Sequence, residues 1–518
     1  MKKIIPVVIC LSITFSTQAQ TVEDAKLYSW YPQNGTARIL AVGGAMGSLG
    51  GDISATFVNP AGLGFYRTRD IVVSPQFSFL QNSADFRGTH TSLNRNMITL
   101  GPSGYVSGIG PNTRGRKSVA LAIAFTQTAN LNNYISYTGL NNYSSYAERF
   151  AEEFAKSGLS IDEVLNTNSS IPYTVAPALY TYLIDTVRVN GDLQIRAATE
   201  NLLDAGNALK QQFSKETKGG IYELGIGAAV NTNDKWLFGG TLGLPIVNVN
   251  TTTTAIETDT SSSTSNGFKS FSYTDHYKVI GGGVNLKLGV IFRPREYIRI
   301  GLALHSPSFI FTSEEHSSSL STQLESPSGA AENYSVSSNT FTNGKPGEAD
   351  YRISNPWKAI LSASYVLREI ADVSKQKGFI TADIEFLNYG ASRFGTYTST
   401  VAPDAKQYYK DLNQVVKDYY KSALNFRVGG ELKFNTIMTR LGFAYYGNPY
   451  KDNALKASKT LLSAGLGYRD KGFFADLTYI YNLSKDNDFP YLLQDRQNTF
   501  SQLKTTGGSM AATIGFKF

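Results

Sequence analysis

The stretch GTARILAVGGAMGSLGGDISATFVNPAGLGFY, residues 35–66, decides how the rest of the chain is interpreted. It holds seven glycines between Gly43 and Gly64, a density that disfavours both a long helix and a strand. Asn59-Pro60 favours a turn near its end. Because backbone with small side chains can approach other surfaces closely, we predict that residues 20–68 fill a confined space as a plug. The candidate plug residues are Gly43, Gly44, Gly47, Gly50, Gly51, Asn59, Pro60 and Ala61.

The first residues have the layout of a secretory signal peptide. Lys2 and Lys3 precede an apolar run from Ile4 to Phe15, and small residues end at Ala19. The run is about a dozen residues, whereas a membrane helix needs roughly 20, so we predict a signal peptide over residues 1–19. The chain's one cysteine, Cys10, lies inside it, which excludes disulfides and thiolate metal sites from the mature chain.

The composition favours a large membrane barrel. The chain has 31 Tyr and 29 Phe but only 17% charged residues, and no apolar run after the signal peptide is long enough for a membrane helix. Its net charge of +7 falls to +5 without Lys2 and Lys3, a mild excess that predicts no nucleic-acid partner. An exported, aromatic-rich chain of alternating strands indicates one transmembrane β-barrel over residues 69–518.

Several segments alternate strictly between apolar and charged residues. Within residues 423–434, Phe426 and Val428 are opposed by Arg427 and Glu431. In a barrel the apolar face contacts lipid and the charged face lines the lumen, whereas a soluble sandwich would reverse them. Aromatic residues at the ends of the apolar faces favour the barrel. The parity predicts lumen positions for Arg299, His305, Asp383, Glu385, Arg427, Glu431 and Arg440.

The spacing of the strand patterns predicts about 14 strands, all antiparallel. The predicted strands begin near Asp70, Phe86, Lys117, Gly220, Lys235, Phe271, Tyr297, Ala349, Gly378, Ser422, Ile437, Ala457, Gly472 and Thr505. Their connections alternate between short turns and long loops, which is typical of bacterial outer-membrane barrels with the short turns in the periplasm. The fold class is therefore an all-β transmembrane barrel, located in the outer membrane of a Gram-negative bacterium.

The long loops contain helical patterns, and the chain ends on an alternating strand. We predict helices around residues 146–154, 195–209 and 408–419 from their apolar spacing, and mobile Ser/Thr-rich segments over residues 251–265 and 317–338. The final residues, MAATIGFKF, alternate and end on Phe518, which is similar to the signal that the barrel assembly machinery recognises. That machinery is a predicted partner.

No pattern for catalysis or cofactor binding is found. The four histidines are scattered, with no HExxH motif or adjacent acidic cluster, so no metal site is predicted. GGAMGSLGG lacks the spacing of a dinucleotide loop and no Walker lysine follows it. No GxSxG motif is present. We therefore predict a non-enzyme without cofactors, and we interpret His305 as a hydrogen-bonded lumen residue.

The plug stretch followed by a barrel resembles the FadL/TodX family of outer-membrane transporters for long-chain fatty acids and aromatic hydrocarbons. Residues 59–63, NPAGL, after the Gly/Ala-rich residues 41–55, carry the likeness, with echoes at residues 301–307, 353–365 and 383–390. The resemblance implies a 14-stranded barrel, an N-terminal hatch and a hydrophobic substrate that leaves sideways through the wall. The loop over residues 130–218 is longer than expected for the family, and the family's substrate-contacting residues cannot be matched.

The function expected from these patterns is passive uptake of hydrophobic small molecules, with the substrate and outer-membrane lipid as partners. Two alternatives stay open: a plugged barrel that acts as a surface-binding or secretion scaffold, and an outer-membrane lipid hydrolase. Arg299, Arg427, Lys433 and Arg440 could bind a carboxylate in the lumen. Acids such as Asp383 and Glu431 share their parity, however, so we expect internal ion pairs.

Overall fold

Fourteen antiparallel strands close into a barrel in the computed structural model, which describes residues 22–110, 117–189, 192–264, 266–325, 331–367, 377–397 and 403–518. The barrel closes where the segments Arg69–Val73 and Pro75–Phe86 both pair with the last strand, Ser501–Lys517. The backbone N–H of Arg69 donates to the carbonyl of Phe518 at 3.0 Å. The strand count agrees with the sequence analysis, and the prediction of an antiparallel barrel is confirmed. The strand predicted to begin near Gly220 begins earlier, at Leu209.

The barrel sheet consists of 21 segments because several of its strands are interrupted. In chain order the strands are β1 (Arg69–Val73), β2 (Pro75–Phe86), β3 (Thr89–Leu100), β4 (Ser103–Ile109), β5 (Lys117–Asn130), β6 (Asn133–Asn141), β7 (Ile184–Val189), β8 (Asp192–Ala197), β9 (Leu209–Thr232), β10 (Trp236–Asp259), β11 (Ser270–Arg295), β12 (Ile298–His305), β13 (Phe309–Glu325), β14 (Ala331–Ser337), β15 (Gly347–Ser354), β16 (Lys358–Leu367), β17 (Gly378–Asn388), β18 (Arg393–Thr396), β19 (Ser422–Phe434), β20 (Ile437–Tyr446), β21 (Ser458–Asp470), β22 (Phe473–Asp488) and β23 (Ser501–Lys517). Strands β7 and β8 form a separate hairpin. Proline explains three interruptions, since Pro102, Pro307 and Pro356 lie between the paired segments and lack the N–H that a ladder needs.

The helices are short, apart from two in the loops. They are α1 (Val22–Leu27), α2 (Ala37–Ala41), α3 (Glu148–Ser157), α4 (Ile161–Val164), α5 (Val175–Tyr180), α6 (Glu200–Asp204) and α7 (Pro403–Tyr419), with 3₁₀ turns at Ile53–Thr56, Pro60–Phe65, Ser338–Phe341 and Tyr389–Ala391. Among the residues that the structure describes, no helix is both long and apolar enough to span a bilayer.

An apolar belt surrounds the barrel near its short-turn end. On β10 the outward side chains Trp236, Phe238, Leu242 and Ile246 are apolar and exposed, and the run from Trp236 to Ile246 covers about 25 Å when the strand is tilted. Leu302, Ile384 and Phe426 are 46%, 43% and 42% exposed. By contrast, Glu385 and Arg427 are 3% and 1% exposed. The oily face is therefore outside and the charged face inside, which excludes a soluble sandwich and identifies an outer-membrane barrel.

The strands continue well beyond the belt. Strands β9, β10 and β11 have 24, 24 and 26 residues, whereas crossing a bilayer takes about 9–11. The extra residues form a tall extracellular half. The prediction that residues 251–265 and 317–338 are mobile is wrong for residues 251–258 and 317–323, because threonine and serine there are paired across β10, β11 and β13. Residues 260–264 lie outside the strands, and residues 265 and 326–330 lie outside the described part.

Two of the three predicted loop helices are present. Helices α3 and α7 match the predicted segments, but the pattern over residues 195–209 is mostly not helical. Its residues are divided among β8, α6 and the start of β9, because Ile195 pairs with Thr186 in the β7–β8 hairpin and Leu209 is buried at the first position of β9. The apolar spacing reflected burial of several elements against one core rather than one helical face.

Candidate functional site: the bore and its N-terminal segment

Residues 22–68, the N-terminal segment, lie inside the barrel. Helix α1 lies in the extracellular half, where Ala25 and Tyr28 share an apolar cluster with Tyr409 and Val416 of α7. The chain then descends to the belt level. Within residues 35–66 only Arg38, Gly51 and Phe65 are less than fully buried. The stretch that the sequence singled out is thus the most buried in the bore.

Side-chain caps give this stretch its local turns. Asp52 accepts hydrogen bonds from Ser54 N at 2.9 Å and from Thr36 Oγ1 at 2.8 Å. Asn59 accepts one from Ala61 N at 3.1 Å, directly before Pro60. These caps satisfy backbone N–H groups that are not paired in a helix or sheet. The predicted turn at Asn59-Pro60 is present as a 3₁₀ turn.

Glycines on both sides of the contact let the segment touch the wall. A Cβ at Gly43, where φ is +71°, would overlap the carbonyl of Phe443, and a Cβ at Gly442 would overlap the backbone of Gly43. Likewise, a Cβ at Gly301 would overlap the carbonyl of Gly47. The sequence analysis identified the glycines of the segment but missed those of the wall. The pattern that could have found them is a glycine at an inward-facing position within a strand.

Asp383 binds the segment's backbone directly. Its carboxylate accepts from Met46 N at 2.9 Å and from Gly47 N at 3.1 Å. Arg427 lies 3.7 Å from Asp383 and 3.0 Å from Glu385. All three charges are buried, and the carboxylate is satisfied by two backbone donors and a cation, as burial of a charge requires.

Two further predicted residues bind backbone carbonyls of the segment. His305 donates from Nε2 to Val58 O at 2.8 Å, and Arg299 donates to Leu49 O at 2.6 Å. Arg299 also lies 4.5 Å over the ring of Phe65. His305 is therefore a hydrogen-bonded bore residue that holds the backbone of the N-terminal segment against the wall.

A second charge cluster lies nearer the periplasmic end. Arg440 pairs with Glu431 at 2.6 Å and with Asp476 at 2.5 Å, and Arg38 of the N-terminal segment lies 3.7 Å from Glu431. Sequence reasoning missed Asp476, although its inward parity in β22 could have found it. The seven predicted lumen charges all lie on the inner face, and each contacts another of them or the backbone of the N-terminal segment. Glu385 also accepts a hydrogen bond from Asn425 at 2.8 Å.

The barrel wall is split beside the N-terminal segment. Strand β4 pairs with residues 119–125 of β5, but the preceding strand β3 pairs with β2 alone, while residues 126–141 pair only with β9. No ladder joins β3 to residues 126–141, all of which the structure describes. We call this unpaired region the wall split. It begins at the belt level, since Ile98 faces Phe77 across β2 and β3 and both side chains are exposed.

Side chains cross the wall split where the backbone does not. Asn34 of the N-terminal segment donates from Nδ2 to Leu100 O at 3.2 Å on one side and to Gln127 O at 2.8 Å on the other. Asn130 donates to Ile98 O at 3.0 Å. A small cavity behind the split is lined by Asn34, Thr126 and Thr128. The hydroxyls of both threonines are buried and have no hydrogen-bond partner among the described residues.

The extracellular half is closed by a cap formed by residues 142–189 and 192–208. Its base holds two buried carboxyls. Glu257, above the belt on β10, accepts from Tyr146 N at 2.7 Å, and Glu148 accepts from Ser145 N at 2.7 Å and pairs with Arg496 at 2.9 Å. Burial raises the pKa of each carboxyl to about 7, because the charged form loses its hydration.

Solved structures with a similar fold are known. The chain is similar to the crystal structure of a Pseudomonas aeruginosa FadL homologue, with a TM-score of 0.51 and 12% identity over 94% of this chain and 98% of that one. It is also similar to the P. putida toluene transporter TodX, with a TM-score of 0.50 and 13% identity over 94% and 99% of the two chains. Neither a protein-family model nor a curated protein matches the sequence. The likeness shows that this chain has the fold of those barrels.

Proposed function

We propose that the protein is an outer-membrane channel for the passive uptake of hydrophobic small molecules, with the N-terminal segment as its hatch and the wall split as its lateral exit. The observation that carries the proposal is Asn34, a hatch residue that bridges the split by two hydrogen bonds. The two similar structures are a FadL homologue and a toluene transporter, which supports apolar cargo here as well.

A lateral exit suits an apolar solute because the bilayer core is its most favourable destination. The hatch leaves little room for a straight aqueous path, since its backbone lies against wall glycines such as Gly301 and Gly442. The split begins at the belt level, so a solute that passes Asn34 enters lipid directly. The free hydroxyls of Thr126 and Thr128 can hydrogen-bond a polar head group on the way.

The proposal requires the hatch to move relative to the wall. A shift of the hatch carries Asn34 out of the split and breaks both of its bonds together. No energy source is needed, because the solute moves down its gradient and each bond is replaced when the hatch returns. The exchange of a few hydrogen bonds is compatible with a transient opening.

A reducible crosslink tests the movement. Ser48 Oγ of the hatch lies 2.8 Å from Ser362 Oγ of β16, so the double variant Ser48→Cys/Ser362→Cys places two thiols within disulfide reach. We expect the oxidised variant to lose uptake of radiolabelled oleate in cells that lack the native gene, and to regain it after reduction.

The matched control crosslinks the wall to itself. Ser78 Oγ of β2 and Ser509 Oγ of β23 lie 2.7 Å apart, so Ser78→Cys/Ser509→Cys introduces the same bond without touching the hatch. Its uptake should not depend on oxidation. If the hatch crosslink forms fully and oleate uptake is unchanged, the moving-hatch channel is wrong and the scaffold alternative gains support.

A further inference from the structure

A cavity of about 270 Å³ opens at the periplasmic end, between the N-terminal segment and the wall. Asp52 and Ile53 line it on one side, and the turn that joins β21 to β22 lines it on the other. Elsewhere the segment meets the wall in direct glycine contacts, for example at Gly301 and Gly442. The cavity is therefore a place where the seal between segment and wall is open to the periplasm.

The cavity is lined by a cation, Arg469, for which no carboxylate of the described residues lies within ion-pair distance. Its Nε is buried without a hydrogen-bond partner among the described residues. The nearby acids are already engaged, since Asp70 lies 3.6 Å from Lys517 and Glu431 and Asp476 pair with Arg440. A half-buried guanidinium whose Nε–H has no acceptor favours an anion that can supply one.

Apolar groups lie beside this cation. The guanidinium of Arg469 lies 5.5 Å from the ring centre of Phe474, and Ile53, Val72 and Phe473 also line the space. The volume lies just below that of most ligand sites, which span roughly 300–1,000 Å³, so it suits a small ligand. The planar fork of arginine matches a carboxylate better than a spherical anion. The site therefore fits a carboxylate that carries a short apolar group.

We propose that this cavity binds such a carboxylate from the periplasm, with Arg469 as the anion-binding residue. A ligand there contacts both the N-terminal segment and the wall, and so holds the segment in place. Two sources share this chemistry: a short-chain carboxylic acid and the C-terminal residue of a periplasmic polypeptide. The proposal concerns binding alone and does not depend on uptake through the wall split.

Cysteine labelling tests it, because the chain's one cysteine, Cys10, lies in the predicted signal peptide. Asp470 is exposed and lines the cavity. The rate at which a methanethiosulfonate reagent modifies Asp470→Cys is measured in nanodiscs with hexanoate or with the neutral hexanamide. We expect hexanoate to slow the labelling and hexanamide to leave it unchanged. Lys235→Cys, in the exposed turn between β9 and β10, is the control site and should label equally under all conditions.

A second variant isolates the arginine. In Arg469→Gln/Asp470→Cys the hexanoate concentration for half-protection should rise about tenfold, the effect of losing one charge-assisted contact. Equal protection by hexanamide, an unchanged half-protection value, or no protection by hexanoate overturns the proposal. If the arginine variant does not assemble, the comparison of hexanoate with hexanamide on Asp470→Cys still tests whether the cavity binds a carboxylate. A peptide ending in a free phenylalanine carboxylate distinguishes the two sources: protection at lower concentration than hexanoate assigns a polypeptide, and weaker protection assigns a small acid.

Discussion

Asp383→Asn should loosen the N-terminal segment from the wall. The Asp383 carboxylate binds two backbone N–H groups, those of Met46 and Gly47, and lies 3.7 Å from Arg427. One carboxylate oxygen, Oδ2, accepts from both N–H groups, and Oδ1 accepts a further bond from Gly47 N at 3.2 Å. An asparagine keeps an uncharged acceptor at the Oδ2 position but places an NH₂ group at the Oδ1 position. The change removes one charge-assisted hydrogen bond and a buried ion contact.

Each hydrogen bond to a charged group contributes about 1.5–3 kcal/mol, so the two losses together destabilise the docked segment by about 2–4 kcal/mol. Local opening free energy sets the rate of amide hydrogen exchange. The amides of Met46 and Gly47 should therefore exchange about 30- to 700-fold faster in the variant. Exchange followed by mass spectrometry in nanodiscs measures the effect on peptides from residues 36–66.

Asp85→Asn is the matched control. It makes the same chemical change at an exposed carboxylate that pairs with His90 at 2.7 Å, far from the N-terminal segment, and exposed pairs contribute little. Its exchange over residues 36–66 should equal that of the native protein. If Asp383→Asn also exchanges at the native rate, the carboxylate does not hold the segment and our account of the bore is refuted.

Three other perturbations test the remaining contacts. Asn34→Ala should raise oleate uptake severalfold, because about 1–3 kcal/mol of hydrogen bonding across the wall split is lost. The control Asn448→Ala removes a bond to Leu455 O within one loop and should not change uptake. If uptake is unchanged in both variants, Asn34 does not control the exit. Gly442→Ala should lower the temperature at which the barrel unfolds, measured by the shift in its gel mobility on heating, because the added Cβ overlaps Gly43. The control Gly282→Ala places its Cβ in open space and should leave that temperature unchanged. Equal unfolding temperatures for the two variants would contradict the close contact at Gly442. The cap should be more stable at pH 5 than at pH 8. In the folded cap Glu148 and Glu257 keep their protons up to about pH 7, whereas in the unfolded cap they lose them near the ordinary carboxyl pKa. The free energy of unfolding of the cap therefore falls as pH rises between these two pKa values. The double variant Glu148→Gln/Glu257→Gln should flatten this dependence in hydrogen exchange over α3, after correction for intrinsic exchange rates.

Local chemistry was enough to predict the wall. Successive side chains in a strand point to opposite faces, so Arg427 between Phe426 and Val428 has only one arrangement in a lipid-facing sheet. The same parity assigned Asp383, Glu385 and Arg440 to the inner face. The glycine density of residues 43–64 likewise predicted a stretch without regular ladders, because backbone entropy and the missing side chains disfavour both helix and strand.

Contacts between distant residues could not be predicted in this way. Parity places a charge inside but does not say which neighbour it meets, so Asp476 as the partner of Arg440 was missed. The helical spacing over residues 195–209 was misleading for a related reason, because burial in a core formed by several elements can mimic one helical face. The Ser/Thr-rich strands were misjudged because their order comes from partners across the sheet.

By itself the sequence determined an exported barrel with an oily exterior, charged interior and glycine-rich segment before its first strand, since each is set by neighbours along the chain. Only the tertiary structure decided that β3 separates from β5, that Asn34 spans the separation, and that Arg469 lines a cavity in which its Nε has no partner among the described residues. These features depend on the distance between strands and on how far a folded segment reaches, quantities that arise only when residues far apart in the chain are brought together.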